Sequence, residues 1–524
     1  MMERPQYFEN TLALPSIDAT TLSESLRDLR VAVQNGAQLV QENTSLPEEW
    51  GHRGLFGFFP GIALAFLRLD YQSSVLEDAH MALPDYRHFA LQRIPEKSPN
   101  LPLLASRLSP LGSSTPITAV TLRILSSLAK NDWQDNAGVT ISKEDTTCLG
   151  DAVQLALNNK PLILDDGRKM GGDEMLYGRA GLLWVLLNVR AHQFDQDTQR
   201  ALSPALGTVP NLIRAIIDSG KQGSKEYIEK HGEKGAHPLM YAWMEGHYCF
   251  GAVHGITGIL TILLSCKPEE LTDYIPVIGD TITALCQLSV SKNGHLPTTS
   301  TSFSFGQPSE LVQLCHGVPG LLILLGTALK NEDLNLTCWD PSWDQAIYLG
   351  TERIWEEGLL SKGGSLCHGI AGNAWAWLLL HDSFEYHSNI KKDAQEAYLQ
   401  RSEISALPDA EISHKLTGDF FLSRALAFML HARETKPYNM SPASSINDYR
   451  LPDLPYALFE GLAGTVCAWA DTCAVIQARL RKMDLVEEGV CARFGLPRDP
   501  VFQEAFSKQI GFPGLGGVRA TGLY

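Results

Sequence analysis

The chain has 524 residues, 44% of them hydrophobic, with 59 acidic against 43 basic side chains and a formal net charge of −16. That balance argues against a protein that grips nucleic acid, whose phosphates need a basic surface, and disfavours adsorption to anionic membrane. No apolar stretch reaches spanning length, so no transmembrane segment is expected, and peripheral membrane association is not indicated.

At the N-terminus, "MMERPQYFENTLALPSIDAT" lacks both the basic-then-apolar pattern of a signal peptide and the Met-Gly start of myristoylation. The ten cysteines are unevenly spaced and do not resemble a secreted disulfide framework. A reduced, cytoplasmic protein with several buried thiols is expected.

Along the chain one pattern recurs, Gly-x-x-Gly opening an apolar helix. Its first, weaker copies are "GFFPGIALAFL", with Gly61 in the second slot and Phe58 in the first, and "GSSTPITAVTL", with Gly112 in the first and Thr115 in the second. Full copies follow at Gly178/Gly181, Gly255/Gly258, Gly317/Gly320, Gly369/Gly372 and Gly461/Gly464. Each run after the second glycine is apolar almost all round, as for a helix buried on most faces. Between copies lie amphipathic segments such as "DQAIYLGTERIWEEGLL" and "FFLSRALAFMLHARE", suited to a partner helix with one wet face. The expectation is an all-α fold, an α/α toroid: seven helical hairpins closing into a double-layered barrel of inner and outer helix rings. Taken alone, Gly-x-x-Gly needs to mean no more than close helix packing.

Length alone suggests two or three domains, but a repeat that closes on itself needs only one. The chain is therefore read as a single domain over 1–524, with a core of about 50–471 and an N-terminal arm, 1–49. Polar segments at 130–147, 385–415 and 434–455 read as surface loops or partly disordered excursions, and about 476–524 as a C-terminal extension.

Three loops in consecutive repeats carry metal-capable residues: His254, then Cys315-His316, then Cys367-His368. Catalytic zinc takes thiolate and imidazole ligands, three from the protein with one position open, and adjacent loops of a ring can supply them. A buried cysteine is also a small hydrophobe and a buried histidine a satisfied core residue, so chemistry alone leaves both readings open.

Several segments together resemble the lanthionine synthetase C-like (LanC-like) proteins, in particular their eukaryotic branch. They are "DEMLYGRAG" (173–181), "PLMYAWMEGHYCFGAVHGITGI" (238–259), "ELVQLCHGVPG" (310–320), "RIWEEGLLSKGGSLCHGIAGNAWAWLLL" (353–380) and "YALFEGLAGTVCAWAD" (456–471). The resemblance implies a seven-hairpin toroid with one zinc ion per chain, held by Cys315, Cys367 and His368, so that His316 is not a ligand. It implies that His254 is the acid/base residue and that glutathione is the thiol co-substrate. Lys362, Arg424 and Arg4 then fall on positions implicated in binding glutathione. The acidic residue that the family's bacterial cyclases carry before the second repeat's glycine falls on Glu174, beside Asp173. Leu314 replaces the usual tryptophan before the first zinc cysteine, and the family's aromatic-acidic C-terminal ending is absent.

The expected reaction is thiol Michael addition, a glutathione transferase-like C–S bond formation that makes a thioether. Glutathione adds to a dehydroalanine or dehydrobutyrine residue in a peptide or protein partner. The alternatives are a non-catalytic glutathione-binding signalling or adaptor protein, a lanthipeptide-type cyclase with an intramolecular cysteine nucleophile, and a glycosidase on a helical toroid. The last needs two facing carboxylates, where these loops offer cysteine and histidine.

Overall fold

The computed structural model describes residues 5–46, 53–57, 59–78, 82–128, 140–158, 160, 162–244, 246–300, 310–441, 448–493 and 495–515. The chain opens with α1 (Ala19–Glu42), and, further helices such as Gln196–Leu206 and Glu332–Cys338 aside, its principal helices then alternate between apolar and amphipathic. In order these are α2 (Phe59–Tyr71), α3 (Tyr86–Leu91), α4 (Ile117–Leu128), α5 (Lys143–Ala156), α6 (Arg179–Arg190) and α7 (Val209–His231). They continue as α8 (Ile256–Leu263), α9 (Ile275–Ser291), α10 (Val318–Ala328), α11 (Pro341–Glu357), α12 (Ile370–Tyr386) and α13 (Gly418–His431), and end with α14 (Leu462–Glu487) and α15 (Pro500–Ser507). The described strands are one minimal hairpin, Leu162–Ile163 paired antiparallel with Lys169–Met170.

The even-numbered helices from α2 to α14 form the inner ring. Each contacts the next in chain order, and α14 returns to α2, closing it. On the outside, α3 lies on α2, α5 on α4, α7 on α6, α11 on α10 and α13 on α12, with α9 against α11. The protein is therefore an all-α toroid with two helical layers.

Burial follows the patterning. Every residue of α12 is buried, because inner neighbours and an outer helix cover all its faces. On α7 the buried set is Val209, Leu212, Ile213, Ile216, Ile217, Gly220 and Tyr227, a stripe at helical spacing with solvent behind it. Each fully buried Leu, Ile or Val contributes about 1.5–3 kcal/mol of apolar transfer.

The two layers begin differently. Several outer helices are capped by side chains: Asp340 accepts the Ser342 N–H at the start of α11, and Thr417 that of Phe420 in α13, whereas α7 and α9 have proline in the first turn and no side-chain cap. Inner helices α6, α8, α10, α12 and α14 have glycine at the cap and no side-chain bond there. Their first N–H groups are satisfied by the preceding loop, which curls back to offer carbonyls seven residues earlier. Arg179 donates to Gly172, Ile256 to Cys249, Ile370 to Gly363 and Leu462 to Pro455. A Cβ on the second glycine would strike this loop, for instance at 1.8 Å from the Leu366 carbonyl oxygen at Gly372. The glycine pairs thus admit a backbone cap more than a neighbouring helix, and loop side chains are left over for chemistry.

Three segments differ from their expected character. The 385–415 stretch is largely helical: α12 runs on to Tyr386, and Ser388–Ser402 and Ala410–Lys415 follow. Ser388–Ser402 looks loop-like in sequence because it buries only Ala394. The N-terminal arm contains α1, whose Leu22, Leu26, Leu29, Val33, Ala37 and Val40 stripe packs on α14 and supplies that helix's outer partner. The C-terminal extension returns to the interior, with Phe502, Phe512 and Leu515 all 0% exposed. Among the polar segments, 130–139 and 442–447 lie outside the described residues; Ser142, within 130–147, caps α5.

A candidate metal centre at the glycine-loop end of the ring

Backbone bonds tie the loops before the inner helices to one another. The Leu108 N–H donates to the Tyr177 carbonyl, Gly171 to Trp243, Cys315 to Cys367 at 3.2 Å, and Cys367 to Phe459 at 2.8 Å. The Gly251 position lies directly against the Cys315 carbonyl, 2.0 Å from where a Cβ would sit, so the His254 loop and the Cys315 loop also abut. Residues in equivalent slots are therefore stacked around one end of the ring.

The slot before each first glycine holds Tyr177, His254, His316, His368 and Glu460. Ring centroids of Tyr177 and His254 are 6.5 Å apart, and those of His254 and His316 are 6.2 Å apart. One slot earlier come Cys315 and Cys367. The Cys315 Sγ, the Cys367 Sγ and a ring nitrogen of His368 all lie within 4.8 Å of one another. Ligand atoms on tetrahedral zinc are separated by about 3.5–3.8 Å, given Zn–S near 2.3 Å and Zn–N near 2.0–2.1 Å. Two thiols and an imidazole at this separation fit that ion with little movement, and they leave a fourth position to a substrate.

The thiols perturb each other. Hydrogen bonding from Cys367, and then from His368, holds Cys315 well below the usual thiol range despite burial, while Cys367 is pushed up by the same contact. The contact between the two thiols thus favours thiolate on Cys315. By contrast Cys249 is raised to about 12 and Cys467 to about 11, chiefly by burial; these are core thiols.

His254 is held on two sides. Its Nδ1 is 3.2 Å from Glu174 Oε2, and Trp243 stacks on its ring at 4.1 Å. Glu174 also accepts the Leu176 and Tyr177 N–H groups at 2.7 and 2.6 Å, which fixes its orientation. A carboxylate only accepts, so Nδ1 carries the proton and Nε2 is the nitrogen left for exchange. Asp173 faces elsewhere, bonded to Ser219 at 2.5 Å and paired with Arg179 at 3.1 Å.

The exposed Lys362 sits five residues before Cys367, and its charge reaches both Cys367 and His316. Ser361 beside it is bonded on two sides, donating to the Gln6 carbonyl and accepting the Arg450 N–H. The exposed Arg450 and the N-terminal segment therefore flank Lys362. Arg4 itself lies outside the described residues.

Arg424 is placed in the outer layer. It pairs with Glu352 of α11 at 2.9 Å and stacks 3.8 Å over the Phe420 ring, an arrangement that ties α13 to α11. Sequence reading overlooked Arg450, Glu460 and Trp243. The signal for Glu460 was available, because it occupies the slot that holds histidine in three other copies; its charge acts on Cys367.

Residues 138–414, more than half of the chain, match the family described as lanthionine synthetase C-like protein. The chain belongs to this family. A glutathione S-transferase, LANCL1, of Danio rerio is 26% identical over 464 residues, covering 88% of this chain and 90% of that protein. LanC-like protein GCL1 of Arabidopsis thaliana is 28% identical over 316 residues, which span 58% of this chain and 56% of its own length. Among solved structures, nisin cyclase aligns with 78% of this chain and 98% of its own at 14% identity and a TM-score of 0.37. Among the described residues no helix is long and apolar enough to cross a membrane.

Proposed function

We propose that this family member adds the thiol of glutathione to dehydroalanine or dehydrobutyrine residues of peptides or proteins, with one zinc ion held by Cys315, Cys367 and His368. The observation that carries the reading is the convergence of these three donors within 4.8 Å at the end of the ring where His254 stands. The name of the Danio relative supports glutathione as the thiol.

A free thiol with a pKa near ~8.5 is mostly protonated at neutral pH. Zinc, when bound, would lower the pKa of the incoming thiol, so that its proton is released to solvent and the thiolate is held at a fixed place. Addition then forms a C–S bond at the alkene β-carbon, and the π electrons move to the α-carbon and its carbonyl. His254 Nε2 delivers the proton that completes the α-carbon, while Glu174 holds the opposite ring nitrogen and stabilises the imidazolium form. Lys362 and Arg450, at the rim, match the two carboxylates of glutathione, Arg as a fork and Lys as a point charge.

The test is glutathione plus a dehydroalanine peptide, followed by mass spectrometry with and without a chelator. The expected result is a glutathione thioether that is lost with chelator and in Cys367→Ala, together with the bound zinc. Undiminished addition by zinc-free Cys367→Ala overturns the mechanism. Zinc and glutathione binding with no addition points instead to a non-catalytic binding protein.

A further inference from the structure

The C-terminal segment after α15 is deeply buried: Ile510 is 2% exposed, and Phe512 and Leu515 are 0% exposed. Its anchor is Asp471 of α14, itself 0% exposed. Asp471 accepts the N–H groups of Ile510 and Gly511 at 3.0 and 2.9 Å, Gln72 Nε2 of α2 at 2.8 Å, and Trp375 Nε1 of α12 at 3.1 Å. Arg68 of α2 donates to the Gly511 carbonyl at 2.5 Å, and Gln72 also reaches the Lys508 carbonyl at 2.8 Å. The segment is thus fastened where the first and last inner helices meet, and Asp471 is satisfied by four donors.

From that anchor a line of contacts reaches the thiols. The Phe512 ring packs against Trp375 at 5.2 Å and against Phe459 at 5.8 Å. The Phe459 carbonyl accepts two N–H groups, from Leu366 at 3.0 Å and from Cys367 at 2.8 Å, and the Cys367 carbonyl accepts that of Cys315 at 3.2 Å. Both cysteine backbones therefore hang on the carbonyl of Phe459, whose ring packs against Phe512 and is also stacked on Phe56.

We propose that residues 508–515 form the positioning element of the thiol cluster, with Phe512 the wedge that holds Phe459 and, through it, Cys367 and Cys315 at ligand separation. The proposal rests on the metal reading of the cluster. Removing the wedge opens a void beside Phe459, into which that ring can relax. The carbonyl moves with the ring, and the two cysteine N–H bonds lengthen or break. Loss of a group that orients metal ligands typically weakens metal binding by about 10–100-fold.

Phe512→Ala, Phe512→Leu and Phe421→Ala are compared in the full-length protein. Phe421 is equally buried, at 0% exposed, and sits on the outer helix α13. Zinc affinity is read by competition with a chromophoric chelator. Thiol accessibility is read, in metal-free protein, from the rate of iodoacetamide labelling at Cys315 and Cys367. Phe512→Ala is expected to lose about 10–100-fold in zinc affinity and to label at least about tenfold faster at both cysteines. Phe512→Leu should recover most of both properties. Phe421→Ala should lower the unfolding midpoint and change neither. Wild-type behaviour of Phe512→Ala in both readouts, or an equal effect of Phe421→Ala, overturns the proposal. If the wild-type protein takes up no zinc, the metal reading fails, and labelling alone decides whether Phe512 positions the thiols.

Discussion

His254 stands between Glu174 and Trp243 with one nitrogen committed, an arrangement that makes sense for a group that must present its other nitrogen in a single orientation. His254→Asn keeps a polar side chain but removes the exchanging nitrogen. Its kcat for thioether formation should fall by about 10²–10⁴-fold, the usual worth of a positioned acid or base, with zinc content unchanged. Zinc loss in this variant, measured by elemental analysis, would instead make His254 structural. At this scale the sequence was most legible where chemistry doubled a repeat: two Cys-His-Gly units at matched places mark the cluster directly. It was least legible for cations. Arginine on an amphipathic helix reads the same whether it meets a ligand or a neighbouring helix, and Arg424 meets Glu352. Arg450 gave no local signal, because what brings it beside Lys362 is one backbone bond to Ser361 between distant parts of the chain.

Among the helices, a glycine of the pairs differs from a glycine outside them in what a Cβ would meet. At Gly372 a Cβ would sit 1.8 Å from the Leu366 carbonyl oxygen and 2.7 Å from its carbon, a backbone group that cannot swing aside. Gly372→Ala should therefore displace the loop that carries Cys367, destabilising the protein by at least about 1–3 kcal/mol and weakening zinc binding together. Gly150, inside α5, has nothing within 4 Å of where a Cβ would sit. Gly150→Ala should stabilise by about 0.5–1 kcal/mol through reduced backbone entropy and leave zinc binding alone. Urea unfolding with parallel zinc titration distinguishes the two, and a harmless Gly372→Ala would remove the backbone-cap account of the pattern. The hairpin count was readable because an apolar run after a glycine pair is a local signature. The partner of α14 was not, since α1 comes from the other end of the chain and its stripe says only that one face is buried. The same holds for the segment after α15, whose aromatic residues carry no mark of where they pack.

For the whole molecule, the interior holds neutral histidines whose protonation is linked to folding. Burial lowers His192 to about 4 and also lowers His237, His381 and His431. The Nε2 of His192 and the Nδ1 of His237 are buried with no hydrogen-bond partner, and burial alone lowers these two, whereas at His381 burial outweighs the opposing pull of Glu385 and Asp382. In the unfolded chain each takes a proton near pH ~6.5. Below that pH the unfolded state binds more protons than the folded one, so stability is fully present above about 6.5 and is lost as the pH falls. For His192 the loss runs from about 6.5 down to about 4. Each such histidine contributes a slope of up to about 1.4 kcal/mol per pH unit, and the four act in parallel because they sit at separate places in the ring. His192→Gln removes one proton from the count while keeping a polar side chain of similar reach. With both proteins stripped by chelator, so that the thiol cluster contributes equally, urea unfolding is followed from about pH 6.5 to about pH 5. The wild type should lose stability across this range, and the variant should lose it with a slope shallower by about 1 kcal/mol per pH unit. Equal slopes would mean that His192 is already protonated in the folded ring, or that it is no more hindered there than in the open chain.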